Sequence, residues 1–410
     1  MTNFYKGNSE RIRNRSVFLY SNQPVVRLMD HYFCKYKSFI DFLCCLAEIA
    51  DEYRLVVPCK EVTDSTAISG MYPIHFRRRP IEVIGYDREI FAPLISLINA
   101  IKIRSIVVSA AENGNVIFCG PGPNSFLVYL SYILPKSVRY GFIIRGDTLK
   151  TVRSIYRGSW RLYASTALVR FFMRRISNLL NASRAIAFLI GAHLKENYTG
   201  PPQSLTEISP LVDERFVRNS VRPFIPEKTP LKFLYVGRFS PEKNVIELIR
   251  AFELAAIPER KWHLTIVGTG PLEAEVRTKG LKLNAQLSFA GHVADEDEMK
   301  ALYDSHHILC LSSLTEGTPG SVIEAFARGM PVLATAVGSL PHHFAEEIKF
   351  IEGYSAEKIF EGMEWCDKHR KEMSEMGRKG RRKVSKFLLK HNALAVHARI
   401  RELSESGRAN

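Results

Sequence analysis

Two stretches of this chain bring residue types to spacings that suit the handling of a phosphate ester. The first is Gly237-Arg238-Phe239-Ser240-Pro241-Glu242-Lys243-Asn244, which follows an apolar run (Phe233–Val236) and opens an amphipathic one. A glycine lets backbone approach a ligand closely, and Arg238 and Lys243 bring two cations to one loop beside a helix N-terminus. That combination suits an anion with two adjacent phosphates. It suits equally a helix start with solvated charges. The second stretch is Glu316-Gly317-Thr318-Pro319-Gly320-Ser321, running into Val322-Ile323-Glu324-Ala325. It follows another apolar run, Ile308–Leu311, and opens a helix with Ser321 near its cap. Turn amides there would bind an anion or sugar hydroxyls. Glu316 on the loop and Glu324 one turn into the helix would hold polyhydroxylated groups at either end of one ligand. The plainer alternative is an acid favouring the helix dipole and an ordinary first-turn glutamate.

The elements that must position these loops follow a parallel α/β rhythm, short apolar runs alternating with amphipathic stretches. Strands are expected at Val17–Tyr20, Leu55–Val57, Ile81–Ile84, Ser105–Val108, Val116–Cys119, Val138–Ile144 and Ala185–Leu189. Helices are expected at Tyr36–Ile49, Ala92–Ile101 and Ser125–Leu134. The rhythm breaks at residues 222–230, RPFIPEKTP, with three prolines and no helical period, which reads as a linker. Strands resume at Phe233–Val236, His263–Val267, Leu287–Phe289, Ile308–Leu311 and Pro331–Ala334, and Ala356–Glu405 reads as consecutive helices. The expected domains are therefore 1–221, 231–355 and a helical tail, 356–410, that crosses back to the first.

Length and composition exclude several classes. The chain has 410 residues, 46% hydrophobic and 24% charged, so disordered, collagen-like and coiled-coil readings fail. Seven scattered cysteines form no CxxC pair and read as free thiols in a reducing compartment. The longest apolar run, Phe126–Leu134, is too short to cross a bilayer, and the basic N-terminus lacks a signal-peptide core. A cytoplasmic protein is expected. Its net charge of +15 needs an owner, and no nucleic-acid-binding module accompanies it.

The motifs GRFSPEKN, IVGTGP (Ile266–Pro271), FAGHV (Phe289–Val293), EGTPGSVIEA and GMPVLAT (Gly329–Thr335) resemble, in order and spacing, those of retaining GT-B glycosyltransferases of family 4 (group 1). The likeness is close over Leu231–Leu340 and only rhythmic before it. It implies two Rossmann-like domains with parallel sheets facing a central cleft. It implies transfer of a sugar from a nucleotide-diphosphate donor, UDP-sugar favoured, to a glycan or lipid-linked glycan in cell-surface polysaccharide synthesis. By the same resemblance Arg238 and Lys243 hold the donor diphosphate, Glu324 the ribose, and Glu316 the donor sugar. Backbone at Gly237 and from Gly317 through Thr318, Pro319 and Gly320 to Ser321 lines sugar and phosphate. Gly268, Gly270 and Val293 border the nucleotide. No cofactor or metal is required, and Asp295-Glu296-Asp297-Glu298 reads as the charged first turn of a helix.

The N-terminal half departs from that family. The loop after its first strand, Ser21-Asn22-Gln23-Pro24 through Asp30-His31, has no glycine, and no histidine stands where members place one near the sugar. Asp147, at the end of Tyr140–Ile144, is the alternative acceptor-side base, or else a helix cap. His31 and Asn124, the latter in the GPGPNS loop, are further acceptor-side candidates. These departures leave open a non-catalytic subunit that binds glycan or scaffolds an active partner.

Much of the charge excess lies in two clusters. Residues 145–184 hold nine Lys or Arg against one acid, with Trp160, Tyr163, Phe171 and Phe172 among them. Residues 378–390 hold seven and no acid. A helix basic on one side and apolar on the other suits an anionic membrane surface. It suits also a helix packed by its apolar face with its charges in water.

Overall fold

The computed structural model describes residues 16–21, 25–34, 41–42, 44–46, 52–68, 71–74, 82–86, 114–119, 131–132, 134, 136, 138–144, 148–149, 152, 160–209, 211–255 and 261–406. The chain forms two compact units, Met1–Ile208 with Asn392–Asn410, and Ser209–His391. The expected strand Ser105–Val108, helix Ala92–Ile101 and GPGPNS loop lie outside the described residues.

The described strands of the first unit are β1 (Ser16–Ser21), β2 (Val25–Leu28), β3 (His31–Cys34), β4 (Glu52–Val62), β5 (Tyr72–Ile74), β6 (Glu82–Tyr86), β7 (Gly114–Cys119), β8 (Tyr140–Ile144), β9 (Ala185–Leu189) and β10 (Leu205–Glu207). They form one sheet in the order β10-β9-β8-β7-β1-β4-β2-β3-β5, with β6 also on β4. From β10 to β4 the pairing is parallel, and β8 and β9 are buried along their whole length. Strands covered on both faces read as unbroken apolar runs, which is why these were legible. The glycine-free segment after β1 is not a loop throughout. Val25–Leu28 pairs parallel with the far end of β4, Cys59–Val62, and antiparallel with β3, which in turn pairs antiparallel with β5.

Helix α1 (Arg161–Asn181) buries Val169, Phe172, Ile176, Leu179 and Leu180, one stripe at helical spacing. It ends where Ala182 N donates to Asn178 O, and Ser183 takes a left-handed φ of 54°. Cys34, Cys44, Cys45, Cys310 and Cys366 are free thiols, as expected of them.

The second unit holds β11 (Lys232–Val236), α2 (Val245–Ala255), β12 (His263–Val267), α3 (Glu273–Gly280), β13 (Leu287–Gly291), α4 (Glu296–Ser305), β14 (Ile308–Leu311), α5 (Gly320–Ala327), β15 (Val332–Thr335), α6 (Leu340–His343) and β16 (Ile348–Ile351). Its sheet is wholly parallel, in the order β13-β12-β11-β14-β15-β16. This is the doubly wound Rossmann order, which reverses direction between β11 and β14. Core residues of one face, such as Phe233, Ile249, Phe252 and Trp262, and of the other, such as Leu234, Val322 and Phe326, are buried.

The unit begins at Ser209, so residues 222–230 lie inside it and do not link two units. Their three prolines are exposed and stand outside any helix, while Arg222 and Ile225 of the same segment are buried. Arg222 is buried and donates to the carbonyls of Tyr303 (3.0 Å) and His306 at the end of α4. The tail is helical as expected, with α7 (Ala356–Lys368), α8 (Arg370–Lys383) and α9 (Leu389–Ser406). From Asn392 onward α9 is counted with the first unit, where Arg399 donates to the Gln203 carbonyl.

Candidate functional site

In a doubly wound sheet, ligands bind beyond the carboxyl ends of the strands where the order reverses. Here those ends are β11 and β14, and they carry the two motif stretches, Gly237–Asn244 and Ser312–Pro319. Backbone and hydroxyl bonds fasten one to the other. Leu314 N donates to Glu242 O (2.8 Å), and Ser312 Oγ to the carbonyls of Lys243 (3.0 Å) and Asn244 (3.1 Å). Asn244 turns the chain into α2 with a left-handed φ of 56°, and its amide donates to Tyr354 O at 2.9 Å.

Lys243 Nζ lies 2.5 Å from Glu316 Oε1, with the two side chains 23% and 10% exposed. Ser313 Oγ donates to the same oxygen at 2.8 Å, and Thr335 Oγ1 anchors the Ser313 carbonyl at 2.6 Å. The acid of one loop and a cation of the other thus share a fixed place. Arg238, five residues before Lys243, is exposed, and its guanidinium makes no hydrogen bond or ion pair among the described residues. Beneath this loop Tyr235 is buried, and its hydroxyl donates to Arg238 O at 3.3 Å. Burial, then the charges of Glu316 and Glu242, push the Tyr235 phenol up, so it stays protonated. Glu242 accepts from Ser240 Oγ at 2.5 Å, and that bond holds its carboxyl below the usual range.

The second stretch leads into α5, whose cap residue is Pro319 and not Ser321. No side chain caps it, so its first-turn amides have no intrahelical acceptor. An anion placed there meets N–H groups and the positive end of the helix dipole. Thr318 Oγ1 and Ser339 Oγ lie 2.8 Å apart, and Ser339 N donates to Gly317 O at 2.9 Å. Gly338 makes that contact possible: at φ 58°, a Cβ on it would fall 2.0 Å from Gly317 O. Glu324, one turn into α5 and half-buried, accepts from the buried Tyr303 hydroxyl at 2.7 Å.

Gly268 and Gly270 owe their type to the backbone. Gly268 has φ 136°, and a Cβ would stand 1.9 Å from Gly237 O; at Gly270 one would stand 2.4 Å from Phe239 O. These close approaches hold the loops after β11 and β12 together, through Gly237 N to Val267 O and Phe239 N to Thr269 O, each 3.0 Å. Val293 turns its side chain into the core, leaving only backbone to border a ligand. Asp295 accepts from the amides of Asp297 and Glu298 as the cap of α4, so that acidic run is a helix start.

The acceptor-side candidates fare differently. Asp147 and Asn124 lie outside the described residues. His31 opens β3, exposed, opposite Leu28 in the antiparallel hairpin.

The basic clusters also divide. In 378–390, Arg378 donates to Arg222 O (3.1 Å) and lies over the Phe224 ring at 3.7 Å. Arg381 donates to Arg218 O, and Lys383 bonds Glu347 at 2.8 Å. Arg378, Arg381 and Lys383 thus fasten α8 to its own unit, while Lys379, Arg382, Lys386 and Lys390 of the cluster are exposed. On α1 the apolar stripe is buried, and the opposite side is not purely basic. The exposed arc mixes Tyr163 (79%) and Phe171 with Arg170 and Arg174, preceded by Trp160 (73%). Arg175 leaves that arc to donate to Ser131 O at 2.6 Å. No described helix is long and apolar enough to cross a membrane.

Sequence reasoning passed over Ser313 and Tyr303, the partners of Glu316 and Glu324. Tyr303 is 21 residues from Glu324 on another helix, while Ser313 stands only three residues before Glu316, a local signal that could have been read.

Residues 218–383 match the sequence model of the family described as Glycosyl transferases group 1. The 2-deoxystreptamine glucosyltransferase of Streptomyces kanamyceticus is 28% identical over 188 residues, 43% of this chain and 46% of that protein. The putative colanic acid biosynthesis glycosyltransferase WcaL of Escherichia coli K12 is 30% identical over 132 residues, 30% of this chain and 32% of that protein. Such matches span from about a quarter to under half of the curated relatives' length. Among solved structures, sucrose-phosphate synthase of Thermosynechococcus elongatus superposes with a TM-score of 0.65 at 17% identity, covering 96% of this chain and all of that one. Anabaena HepE in complex with UDP does so with a TM-score of 0.65 at 14% identity, over 96% of this chain and all of that one. The fold is GT-B, with two Rossmann-like units and C-terminal helices.

Proposed function

We propose that this chain is a retaining glycosyltransferase of the family 4 type, moving a sugar from a nucleoside-diphosphate donor to a glycan or lipid-linked glycan acceptor in surface-polysaccharide synthesis. The observation that carries the reading is the meeting of Lys243 and Glu316 at the switch point, with the exposed guanidinium of Arg238 on the same loop. A UDP-sugar is the favoured donor, a choice supported by HepE, a neighbour of the same fold that was crystallised with UDP and with UDP-glucose.

In the reaction, the bond between the anomeric carbon and the diphosphate oxygen breaks, and its electron pair leaves with the phosphate. Arg238, Lys243 and the uncapped amides of α5 stand where that charge grows, so they stabilise the departing group most as the bond lengthens. Glu316 contacts the sugar hydroxyls and offsets positive charge at the anomeric carbon. The acceptor hydroxyl forms the new bond and gives up its proton, for which Asp147 is the proposed base. The two cations act in place of a metal. The first unit handles the acceptor. The aromatic and basic arc of α1 rests on an anionic lipid surface, where a lipid-linked acceptor is found.

Release of nucleoside diphosphate from a panel of nucleotide sugars, in the presence of EDTA, tests this reading. Turnover of a UDP-sugar undiminished by the chelator supports it. Absence of release from every donor and acceptor would favour the non-catalytic alternative.

A further inference from the structure

We infer that Tyr303 is a positioning residue that sets the carboxylate of Glu324 for the ribose hydroxyls of the donor; the inference rests on the donor-site reading above. Tyr303 belongs to the last turn of α4, and Glu324 to α5. The phenol donates to Glu324 Oε2 at 2.7 Å and lies 3.3 Å from Ser321 O, in the first turn of α5. A phenol has one proton, so the shorter bond to the charged acceptor takes most of it.

Everything around Tyr303 holds it still. Its ring is fully buried and meets Phe216 edge to face, with centroids 5.8 Å apart. The next residue, Asp304, accepts two bonds from Arg328, the residue that ends α5. The end of α4 is therefore tied to α5 at Ser321, Glu324 and Arg328. Burial and the Glu324 charge push the Tyr303 phenol far above its ordinary value, which keeps the hydroxyl a donor at any working pH.

The consequence concerns order before binding. A glutamate has several rotatable bonds, and an unbraced one must be immobilised when it grips vicinal hydroxyls. Tyr303 fixes the plane and direction of the Glu324 carboxylate in advance. Its contribution should therefore appear only with ligands that carry those hydroxyls.

The test compares wild type and Tyr303→Phe by calorimetric titration with UDP, GDP, their 2′,3′-dideoxy forms and inorganic pyrophosphate. Melting temperature is followed alongside, as are donor KM and kcat. Tyr303→Phe is expected to weaken the ribonucleotide by about tenfold while dideoxy and pyrophosphate binding stay within about twofold. Donor KM rises and kcat holds. An unchanged preference for ribose in the variant overturns the inference, and so does an equal loss for all ligands with a lowered melting temperature. If wild type binds neither UDP nor GDP, the donor-site reading itself fails, which separates the two.

Discussion

The ammonium of Lys243 and Oε1 of Glu316 lie 2.5 Å apart although they come from the ends of different strands, β11 and β14. The pair forms because the sheet order reverses between those strands and the two loops are bonded backbone to backbone there. A diphosphate entering the site meets a cation whose position the acid has already set, so little reorganisation remains for the reaction itself.

Removing either member should therefore act on turnover more than on the fold. Lys243→Ala and Glu316→Gln are each expected to lower turnover by about a hundredfold or more, read as nucleoside-diphosphate release. Far-ultraviolet circular dichroism should match wild type. Near-normal turnover in either variant would refute their assignment.

The glycines at close backbone approaches should resist substitution for geometric reasons alone. Gly338→Ala places a methyl 2.0 Å from Gly317 O at φ 58°, and Gly268→Ala places one 1.9 Å from Gly237 O. Each is expected to lower stability by about 2 kcal/mol or more in urea titrations. Gly317→Ala, where a Cβ would meet nothing within 4 Å, should cost much less.

Acid should destabilise the second unit through two neutral histidines, the buried His306 and the half-buried His307. His307 Nδ1 accepts from Lys232 N at 3.1 Å, and burial, aided by the charges of Arg222 and Lys232, pushes its imidazole down to about 4. His306 is lowered in the same direction, again chiefly by burial. Above the ordinary value of about 6.5 neither state is protonated and the full stability is present. As pH falls from there towards 4 the unfolded chain takes up protons that the folded chain refuses, so stability declines. Urea midpoints measured across that window should fall with pH, and His307→Asn should flatten the slope. An identical slope in the variant would show that His307 does not contribute to the acid sensitivity.

What the sequence made legible follows from how locally each feature is encoded. Parallel strands such as Ala185–Leu189 and Ile308–Leu311 are apolar throughout because both faces are buried, so composition alone marks them. The hairpin of β2 and β3 escaped notice because its short strands are partly exposed and its register depends on β4, some 30 residues away. The glycine-rich loops announced the site, since close backbone approach demands that residue type. Tyr303 did not, because its hydrogen bond to Glu324 joins side chains on separate helices and leaves no periodic trace, and Ser313, three residues before Glu316, reads as an ordinary loop serine. The prolines of 222–230 misled about the boundary: they report backbone conformation, whereas membership of a unit is decided by contacts such as those of Arg222.

The arc of α1 offers a direct check on the membrane proposal. Binding to vesicles containing phosphatidylglycerol should fall by about tenfold or more when Trp160, Tyr163 and Phe171 are changed to Ser, because each buries its ring at the interface. High salt should weaken binding of the wild type through Arg170 and Arg174. Wild-type protein that fails to sediment with such vesicles would contradict this assignment.

On the donor-site reading the loops after β11 and β14 form a site for a nucleoside diphosphate. A thermal-shift measurement with nucleosides, their monophosphates and their diphosphates tests it most directly, because a ligand that binds only the folded chain raises its melting temperature. The melting temperature should rise with UDP and little with UMP or uridine, and the rise should be lost in the Arg238→Ala, Lys243→Ala double variant. No rise with any nucleoside diphosphate, or an equal rise in the double variant, would contradict it.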